Sequence, residues 1–154
     1  MRLTDILQPD CVKVPLEAGD KQNAIAELVN LLVDRTGITG ADELNQAIWQ
    51  RETTRTTGIG HGIAIPHGKS AGVDQLRMAI GKPPQPLDFG AIDGQPVELL
   101  LLLASPADQT GPHIQALARI SRMLTDAEFR NAIKQASSAD ELYQLIQKRE
   151  PNTV

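Results

Sequence analysis

The sequence predicts an α/β protein, a single layered domain in which a mixed β-sheet is flanked by α-helices. Helical periodicity recurs in both halves of the chain, and short alternating segments typical of strands lie between these helices. Residues 97–104, VELLLLLA, are apolar almost throughout, as in a central strand covered on both faces. At 154 residues the chain fits one domain, and we expect residues 1–150 to form it and residues 151–154 to be a flexible tail.

The first part of the chain predicts a short strand followed by two helices. Residues 12–14, VKV, alternate as in a strand with one buried face. Asp20 is placed to cap a helix that Thr36-Gly37 would end, and residues 39–42 have the spacing of a capping box for a second helix. The inward faces of these two helices are predicted to be Ile25, Leu28, Val29 and Leu32, and then Leu44, Ala47 and Ile48.

The middle of the chain predicts strands joined by one long connection. Residues 63–65 alternate, in a stretch that ends on Pro66-His67-Gly68, and residues 76–80 alternate in the same way. Two segments rich in glycine and proline, residues 81–90 and 92–96, are typical of a surface connection. This connection would lead into the central strand.

Three further helices are predicted after the central strand. Gly111-Pro112-His113 would open the first of them, because proline suits the first turn of a helix. Thr125 and Ser138, each followed three residues later by a glutamate, have the capping spacing that opens the next two. The inward positions are predicted to be Ile114, Leu117, Ala118, Ser121 and Leu124 in the first of these helices, and Leu142, Leu145 and Ile146 in the last.

Charge and composition argue against several classes of function. The net charge is −4 and the basic residues are not clustered, which argues against nucleic acid or an anionic membrane as a partner. Cys11 is the only cysteine, so no disulfide can form within the chain, and we interpret it as a small buried side chain. The longest apolar run is too short to span a bilayer and no signal peptide is evident. We therefore expect no membrane insertion and a cytoplasmic location.

The stretch GIGHGIAIPHGK, residues 58–69, carries the candidate chemistry. His67 lies between a proline and a glycine, and Gly68 has no side chain that would shield the imidazole ring. The backbone N–H groups of the glycine run could approach an anion closely. His113 is expected in the first turn of a helix, where spare N–H donors and the helix dipole favour an anion. With the arginines of residues 51–55 upstream, these groups suit a neutral imidazole that attacks phosphorus while cations hold the phosphoryl oxygens.

A metal site is the alternative that the histidines leave open. His61, His67 and His113, together with one carboxylate, could bind a metal ion and support a metal-dependent hydrolase. The spacing of the first two is not typical of zinc, and the chain has no cysteine pair to complete a site. The glycines of residues 58–62 precede a strand, unlike those of a dinucleotide-binding loop. We therefore expect neither a bound metal nor a cofactor.

Residues 51–68, RETTRTTGIGHGIAIPHG, resemble the active-site signature of the IIA domains of the bacterial phosphoenolpyruvate-dependent phosphotransferase system, in the fructose/mannitol class. A second element of that family, a histidine that opens a helix after the central strand, is matched by ADQTGPHIQALARIS, residues 107–121. The segments IDGQPVELLLLL, PADQT and DELYQLI further resemble the nitrogen-regulatory branch of the family. The resemblance covers nearly the whole chain and implies a mixed sheet flanked by helices.

The resemblance also implies roles for individual residues. His67 matches the histidine that accepts a phosphoryl group, and His113 matches the histidine that supports the phosphorylated ring or its oxygens. Arg51 matches the arginine that pairs with the phosphate. Thr56 and His61 match family positions whose side chains could hydrogen-bond at the site. We expect them to support the phosphate together with Gly58 and Gly60, whose backbone N–H groups could approach it.

The implied donor is a small HPr/NPr-like phosphocarrier, itself phosphorylated on histidine, and the reaction would pass through a phosphohistidine. In the nitrogen-regulatory branch, the phosphorylation state would control regulatory target proteins such as potassium-transport regulators or sensor kinases. The alternative within the family is a sugar-transport component that passes phosphate on to a separate fructose/mannitol-type IIB protein. The residues of the chain do not separate these two hypotheses.

Overall fold

The computed structural model describes residues 2–150 and places a six-stranded mixed sheet between two layers of helices, which confirms the predicted fold class. The tail predicted at residues 151–154 lies outside the described residues. A short 3₁₀ helix, Leu3–Asp5, precedes the sheet. The strands are β1 Leu7–Lys13, β2 Gly58–Gly60, β3 Ile63–Ala64, β4 His67–Ser70, β5 Arg77–Gly81 and β6 Leu99–Pro106. The helices are α1 Lys21–Thr36, α2 Ala41–Thr54, α3 Thr110–Met123, α4 Ala127–Gln135 and α5 Ala139–Arg149.

Strand β6 is the centre of the sheet. The strand order is β1-β5-β6-β3-β2, and β4 follows β3 along the same edge of β6. Strands β3 and β4 run parallel to β6, β5 runs antiparallel to it, and β1 is parallel to β5. All eight residues of β6 are buried, which confirms the central strand predicted from its apolar sequence.

The strand predicted at residues 63–65 does not end at Pro66 but resumes as β4. Ile63 lies opposite Leu99 at one end of β6, and His67 lies opposite Leu103 further along. Proline has no N–H to donate, yet its carbonyl still accepts a hydrogen bond from the N–H of Leu103 at 2.9 Å. His67 is therefore the first residue of a strand, and its position is fixed by the register with β6.

This register decides which face of the sheet each side chain of β4 occupies. Successive side chains in a strand point to opposite faces, and residues opposite one another in neighbouring strands share a face. His67 and Lys69 therefore share the face of Leu103 and Ser105, which α3 covers. Gly68 lies on the other face, against Ile48 of α2. We call these the α3 face and the α2 face.

Helices α1 and α2 lie on the α2 face. The Asp20 carboxylate accepts from the N–H of Asn23 at 2.8 Å, and Gly37 ends α1 with φ +74°, as predicted. The capping box predicted at residues 39–42 is wrong. Helix α2 begins after Gly40, which has a φ of +71° and no side chain that could cap the helix. The capping box does not form because the N–H of Thr39, which Asp42 would have to accept from, is bonded to the carbonyl of Gly72 at 3.0 Å.

Helix α3 begins at Thr110 and is rotated relative to the prediction. Ile114, predicted to face inward, is 59% exposed, whereas His113 is 7% exposed. The reason is that the His113 ring takes an inward position against the sheet, which turns the helix by about one residue, or roughly 100°. The predicted Ala118 and Ser121 are exposed as a consequence, Leu117 is half-buried and Leu124 is buried. The observed buried positions of the helix are His113, Ala116, Ile120 and Met123.

Helices α4 and α5 complete the α3 face. Asp126, and not Thr125, caps α4, since its carboxylate accepts from the N–H of Glu128 at 3.0 Å. Ser138 caps α5 as predicted, with its hydroxyl accepting from the N–H of Glu141 at 3.1 Å. The predicted surface connection before β6 is partly buried, because Leu87 pairs with Val97 in an isolated antiparallel bridge and is 3% exposed. None of the helices within residues 2–150 combines the length and apolar character needed to cross a membrane.

Gly68 has a different role from the one that the sequence suggested. A Cβ atom on Gly68 would lie 2.8 Å from Cγ1 of Ile48 and 3.0 Å from the backbone nitrogen of the same residue. The missing side chain therefore lets α2 pack closely against β4. It does not serve to expose the His67 ring, which lies on the opposite face.

Replacing Gly68 with alanine is predicted to lower the free energy of unfolding by about 1–3 kcal/mol, the usual cost of overpacking. The contacting atoms belong to the backbone and a buried side chain, which cannot move aside freely. Gly19→Ala is the matched control, because a Cβ there meets nothing within 4 Å. Urea denaturation of both variants checks the prediction, and equal stabilities would contradict it.

Candidate functional site

Within residues 2–150, one ring nitrogen of His67 forms a hydrogen bond and the other does not. Its Nδ1 lies 2.8 Å from the carbonyl oxygen of Ile65. A carbonyl only accepts, so Nδ1 carries the proton and donates it to this bond. In the neutral ring, Nε2 then holds a lone pair. The ring is half-buried, and it is held by its backbone partner and by the register of β4.

The surroundings of His67 favour its neutral form. Burial lowers the pKa of His67 most strongly, and the positive charge of Arg51 lowers it further. The hydrogen bond to Ile65 and the negative charge of Glu52 act in the opposite direction, but the net shift is downward. A neutral imidazole with a lone pair at Nε2 is the form that a nucleophile requires.

His113 lies beside His67 on the α3 face. The two ring centroids are 5.3 Å apart and the ring planes are tilted by 53°. Nδ1 of His113 lies 2.6 Å from the hydroxyl oxygen of Ser105, which is fully buried in β6. Burial first, and then the nearby His67, when it is protonated, and the positive charge of Lys69 lower the pKa of His113 to about 4. His113 is therefore neutral near pH 7.

Two residues of this cluster were not predicted from the sequence. Lys69 donates from Nζ to the hydroxyl of Thr110 at 3.1 Å, so it joins β4 to the first turn of α3. Ser105 bonds His113 from the neighbouring strand. The signals were present: Ser105 is a polar residue late in an otherwise apolar strand, and Lys69 lies two residues beyond His67. Both needed the register of β4 with β6 before they could be interpreted.

Arg51 and Glu52 approach the site from the last turn of α2. The guanidinium of Arg51 donates to the carbonyl of Arg55 at 2.8 Å, which orders the C-terminal end of the helix. Glu52 is 2% exposed and accepts from both the N–H and the hydroxyl of Thr57. Its second partner is Lys21 of α1, at 3.0 Å. This buried network fixes the last turn of α2, which carries Arg51, relative to the strands.

Thr56 and Gly58 hold the connection before β6 against the start of β2. The Thr56 hydroxyl donates to the carbonyl of Phe89 at 3.0 Å and accepts from the N–H of Gly58 at 3.0 Å. A Cβ on Gly58 would lie 2.8 Å from Cβ of Ala91, so this glycine permits close packing of the connection that precedes β6. In this arrangement neither the hydroxyl nor the Gly58 N–H is available to bind a phosphate.

Gly60 and His61 lie at the turn between β2 and β3, away from His67. Both have positive φ, +98° and +59° respectively. The N–H of His61 donates to Asp93 at 3.0 Å, and its carbonyl accepts from Lys134 at 2.7 Å. Along β6 the turn precedes Leu99, whereas His67 lies opposite Leu103, so at 3.3 Å per residue the separation is at least about 13 Å. The structure does not bring His61 or Gly60 together with His67.

The metal hypothesis receives no geometric support. Since His61 lies at the far turn, the three histidines do not converge on one point. Within residues 2–150, no three side chains of the types His, Cys, Asp and Glu are grouped closely enough to hold a metal ion. Cys11, as expected, is fully buried in β1, and burial raises its pKa to about 11.

Stability is predicted to fall as the pH is lowered from about 6.5 to 4. In the unfolded chain, His113 takes up a proton near its ordinary pKa of 6.5, whereas the folded protein holds that pKa at about 4. Between these values the unfolded state binds more protons, so up to roughly 3 kcal/mol of stability is lost as the pH falls. Urea denaturation at stepped pH measures this slope. We expect His113→Gln to flatten it, with His61→Gln as the control; a His113→Gln slope equal to that of the unchanged protein would contradict the prediction.

Residues 5–149 match the family described as the phosphoenolpyruvate-dependent sugar phosphotransferase system, EIIA 2. The chain belongs to this family, as its signature residues predicted, and IIA domains of this type take part in phosphoryl transfer as phosphocarriers. The fold described above is therefore that of a type-2 IIA domain.

Individual relatives come from two groups. The chain is 32% identical to a nitrogen regulatory protein of Bradyrhizobium diazoefficiens, over 95% of each chain. It is 33% identical to the fructose-specific EIIABC component of Bacillus subtilis, where 97% of the chain spans only 24% of the relative. Among solved structures, the nitrogen regulatory protein IIA-Ntr of Neisseria meningitidis superposes with a TM-score of 0.84 at 30% identity, covering 94% of this chain and 98% of that one.

Proposed function

We propose that His67 accepts a phosphoryl group from an HPr/NPr-like histidine phosphocarrier, and that the resulting phosphohistidine regulates partner proteins. The observation that carries this proposal is the state of His67: Nδ1 is committed to the carbonyl of Ile65, while Nε2 is left with a lone pair. A second neutral imidazole lies 5.3 Å away, centroid to centroid. Membership of the type-2 IIA family supports the phosphocarrier role.

The transfer of a phosphoryl group from the carrier's imidazole to His67 needs no further reactant. The lone pair of His67 Nε2 attacks phosphorus, and the bond between phosphorus and the carrier's imidazole breaks with its electron pair leaving on the carrier. His67 keeps the Nδ1 proton, still bonded to Ile65, so the phosphorylated ring stays in place. Phosphoryl transfer of this kind depends mainly on positioning and on charge stabilisation.

The surrounding groups supply that charge stabilisation. Arg51 is close enough for its positive charge to act on His67, and Lys69 stands two residues along the same face. Ring donors and cations directed at the phosphoryl oxygens stabilise the transition state in such a site.

The regulatory role is supported by the relatives and by a change in charge. A phosphoryl group adds roughly −1.5 to −2 of charge at pH 7. At the α3 face this would change which target proteins bind, such as potassium-transport regulators or sensor kinases. The nitrogen regulatory protein of Bradyrhizobium diazoefficiens matches the chain over nearly its whole length. We place this activity in the cytoplasm.

The second candidate is a sugar-transport component that passes phosphate to a separate fructose/mannitol-type IIB protein. It is favoured by the likeness to the fructose-specific component of Bacillus subtilis. To separate the two, the protein is phosphorylated with phosphoenolpyruvate, the first enzyme of the system and a carrier, and is then mixed with candidate IIB domains. Retained phosphate supports the regulatory role. Rapid transfer to a IIB domain, coupled to sugar uptake, would contradict it.

A further inference from the structure

Ser105 and His113 form a buried hydrogen-bonded pair between an otherwise apolar strand and the first turn of α3. Ser105 is 0% exposed and His113 is 7% exposed, and the hydroxyl oxygen lies 2.6 Å from Nδ1 of the ring. Apart from Ser105 and the terminal Pro106, β6 carries only leucines and alanine. A buried hydroxyl in such a strand needs a partner, and the structure provides the imidazole.

The direction of this hydrogen bond can be derived from what each atom can do. Within residues 2–150, the Ser105 hydroxyl has no hydrogen-bond partner other than Nδ1 of His113. If Nδ1 carried the ring proton and donated it, the hydroxyl hydrogen would be buried without an acceptor, which is costly. If the hydroxyl donates instead, both groups are satisfied, and the ring proton of neutral His113 lies on Nε2.

We propose that Ser105 is a positioning residue that holds His113 as the Nε2–H tautomer, so that His113 acts as a hydrogen-bond donor to the phosphoryl oxygens on His67. This inference rests on the proposed function of His67. The two rings then carry complementary atoms: His67 presents a lone pair at Nε2, and His113 presents an N–H. A His113 ring protonated at Nδ1 would instead present a lone pair, which repels phosphoryl oxygens.

The neutral state of His113 is what makes its tautomer matter. An imidazolium donates from both nitrogens, whereas a neutral ring donates from only one. The charged and titratable groups that face His113 are His67 and Lys69, both from β4, and they act with burial to keep the ring neutral. On this account the ring donates without losing its proton, and the phosphoryl group stays on His67.

The tautomer is measured directly by ¹⁵N NMR of the histidine rings in the unphosphorylated protein near pH 7. We expect the signals of His113 to show a protonated Nε2 and an unprotonated Nδ1. A protonated Nδ1 would overturn the inference. Because this measurement uses the unchanged protein, it does not depend on how well any variant folds.

Two variants link the tautomer to the rate of phosphoryl transfer. Ser105→Ala removes the donor and is expected to slow transfer from the carrier by roughly fivefold to tenfold, the size of one neutral hydrogen bond. Ser105→Thr keeps the hydroxyl and is expected to restore both the rate and the tautomer. Ser70→Ala is the control, since Ser70 is also a buried serine at this end of the sheet but lies on the α2 face, and we expect no change in rate.

The outcomes distinguish this inference from the function on which it rests. Ser105→Ala with an unchanged rate and an unchanged His113 tautomer would overturn the positioning role, even while His67 still accepts phosphate. Absence of phosphate on His67 in the unchanged protein would contradict the proposed function, and with it the catalytic use of the tautomer. A slower Ser105→Ala variant with a mixed tautomer, rescued by threonine, supports both.

Discussion

His67→Ala is expected to abolish phosphorylation of the protein by the carrier. Nε2 of His67 carries the lone pair that would attack phosphorus, with a second imidazole next to the ring, and alanine offers no atom that can bond to phosphorus. The loss should be complete, because His113 is engaged with Ser105 at Nδ1 and is expected to carry a proton at Nε2. Mass spectrometry of the intact protein, after incubation with phosphoenolpyruvate, the first enzyme and the carrier, measures the label.

The matched control for this experiment is His61→Ala. His61 is also a histidine of the glycine-rich stretch, but it lies at the turn between β2 and β3, bonded to Asp93 through its backbone. We expect this variant to be labelled as fully as the unchanged protein. Stoichiometric labelling of His67→Ala would show that the acceptor is elsewhere and would contradict the assignment.

His113→Ala is expected to keep the acceptor but to slow transfer by about 10²-fold, as is usual when one donor to a developing negative charge is removed. Because His113 is nearly buried against Ser105, its removal also leaves a buried hydroxyl without a partner. Single-turnover labelling by rapid quench measures the rate, and circular dichroism checks that the variant is folded. A folded variant with an unchanged rate, or with no label at all, would contradict the supporting role.

Several elements of the fold could be predicted because residues within or next to each element determine it. Asp20 and Ser138 each lie at a helix start with a polar side chain within reach of an N–H, and the structure confirms both caps. The central strand could be predicted because a strand whose residues are apolar at every position must be buried on both faces. In these cases the physical reason lies within a few residues of the element itself.

The errors arose where a residue's role depends on a distant part of the chain. The sequence suggests that Gly68 leaves the imidazole open, but in the structure it allows Ile48 of α2 to pack closely, which no local pattern reveals. The aliphatic residues of α3 predict one inward face, whereas the histidine bonded to Ser105 determines which face of the helix is buried. A polar residue that faces inward cannot be told from a solvated one until its partner is known.

The residues of the candidate site also fall into those that the local sequence reveals and those that depend on distant parts of the chain. His67, His113 and Arg51 could be named from the signature and the resemblance that it supports. Ser105 and Lys69 could not, because they join the site only through the pairing of β4 with β6. The glycine run, expected to hold an anion, is explained by the tight turn and by close packing against the connection that precedes β6.

The central claim is that Nε2 of His67 takes the phosphoryl group, since Nδ1 is held by the carbonyl of Ile65. The most direct measurement is to phosphorylate the unchanged protein with phosphoenolpyruvate, the first enzyme and the carrier, and to keep it under non-acidic conditions. Peptide mass spectrometry then locates the phosphate, and ³¹P NMR identifies the ring nitrogen. We predict a single phosphoryl group on Nε2 of His67. Phosphate on Nδ1 of that ring, on His61 or His113, or on no histidine would contradict the account.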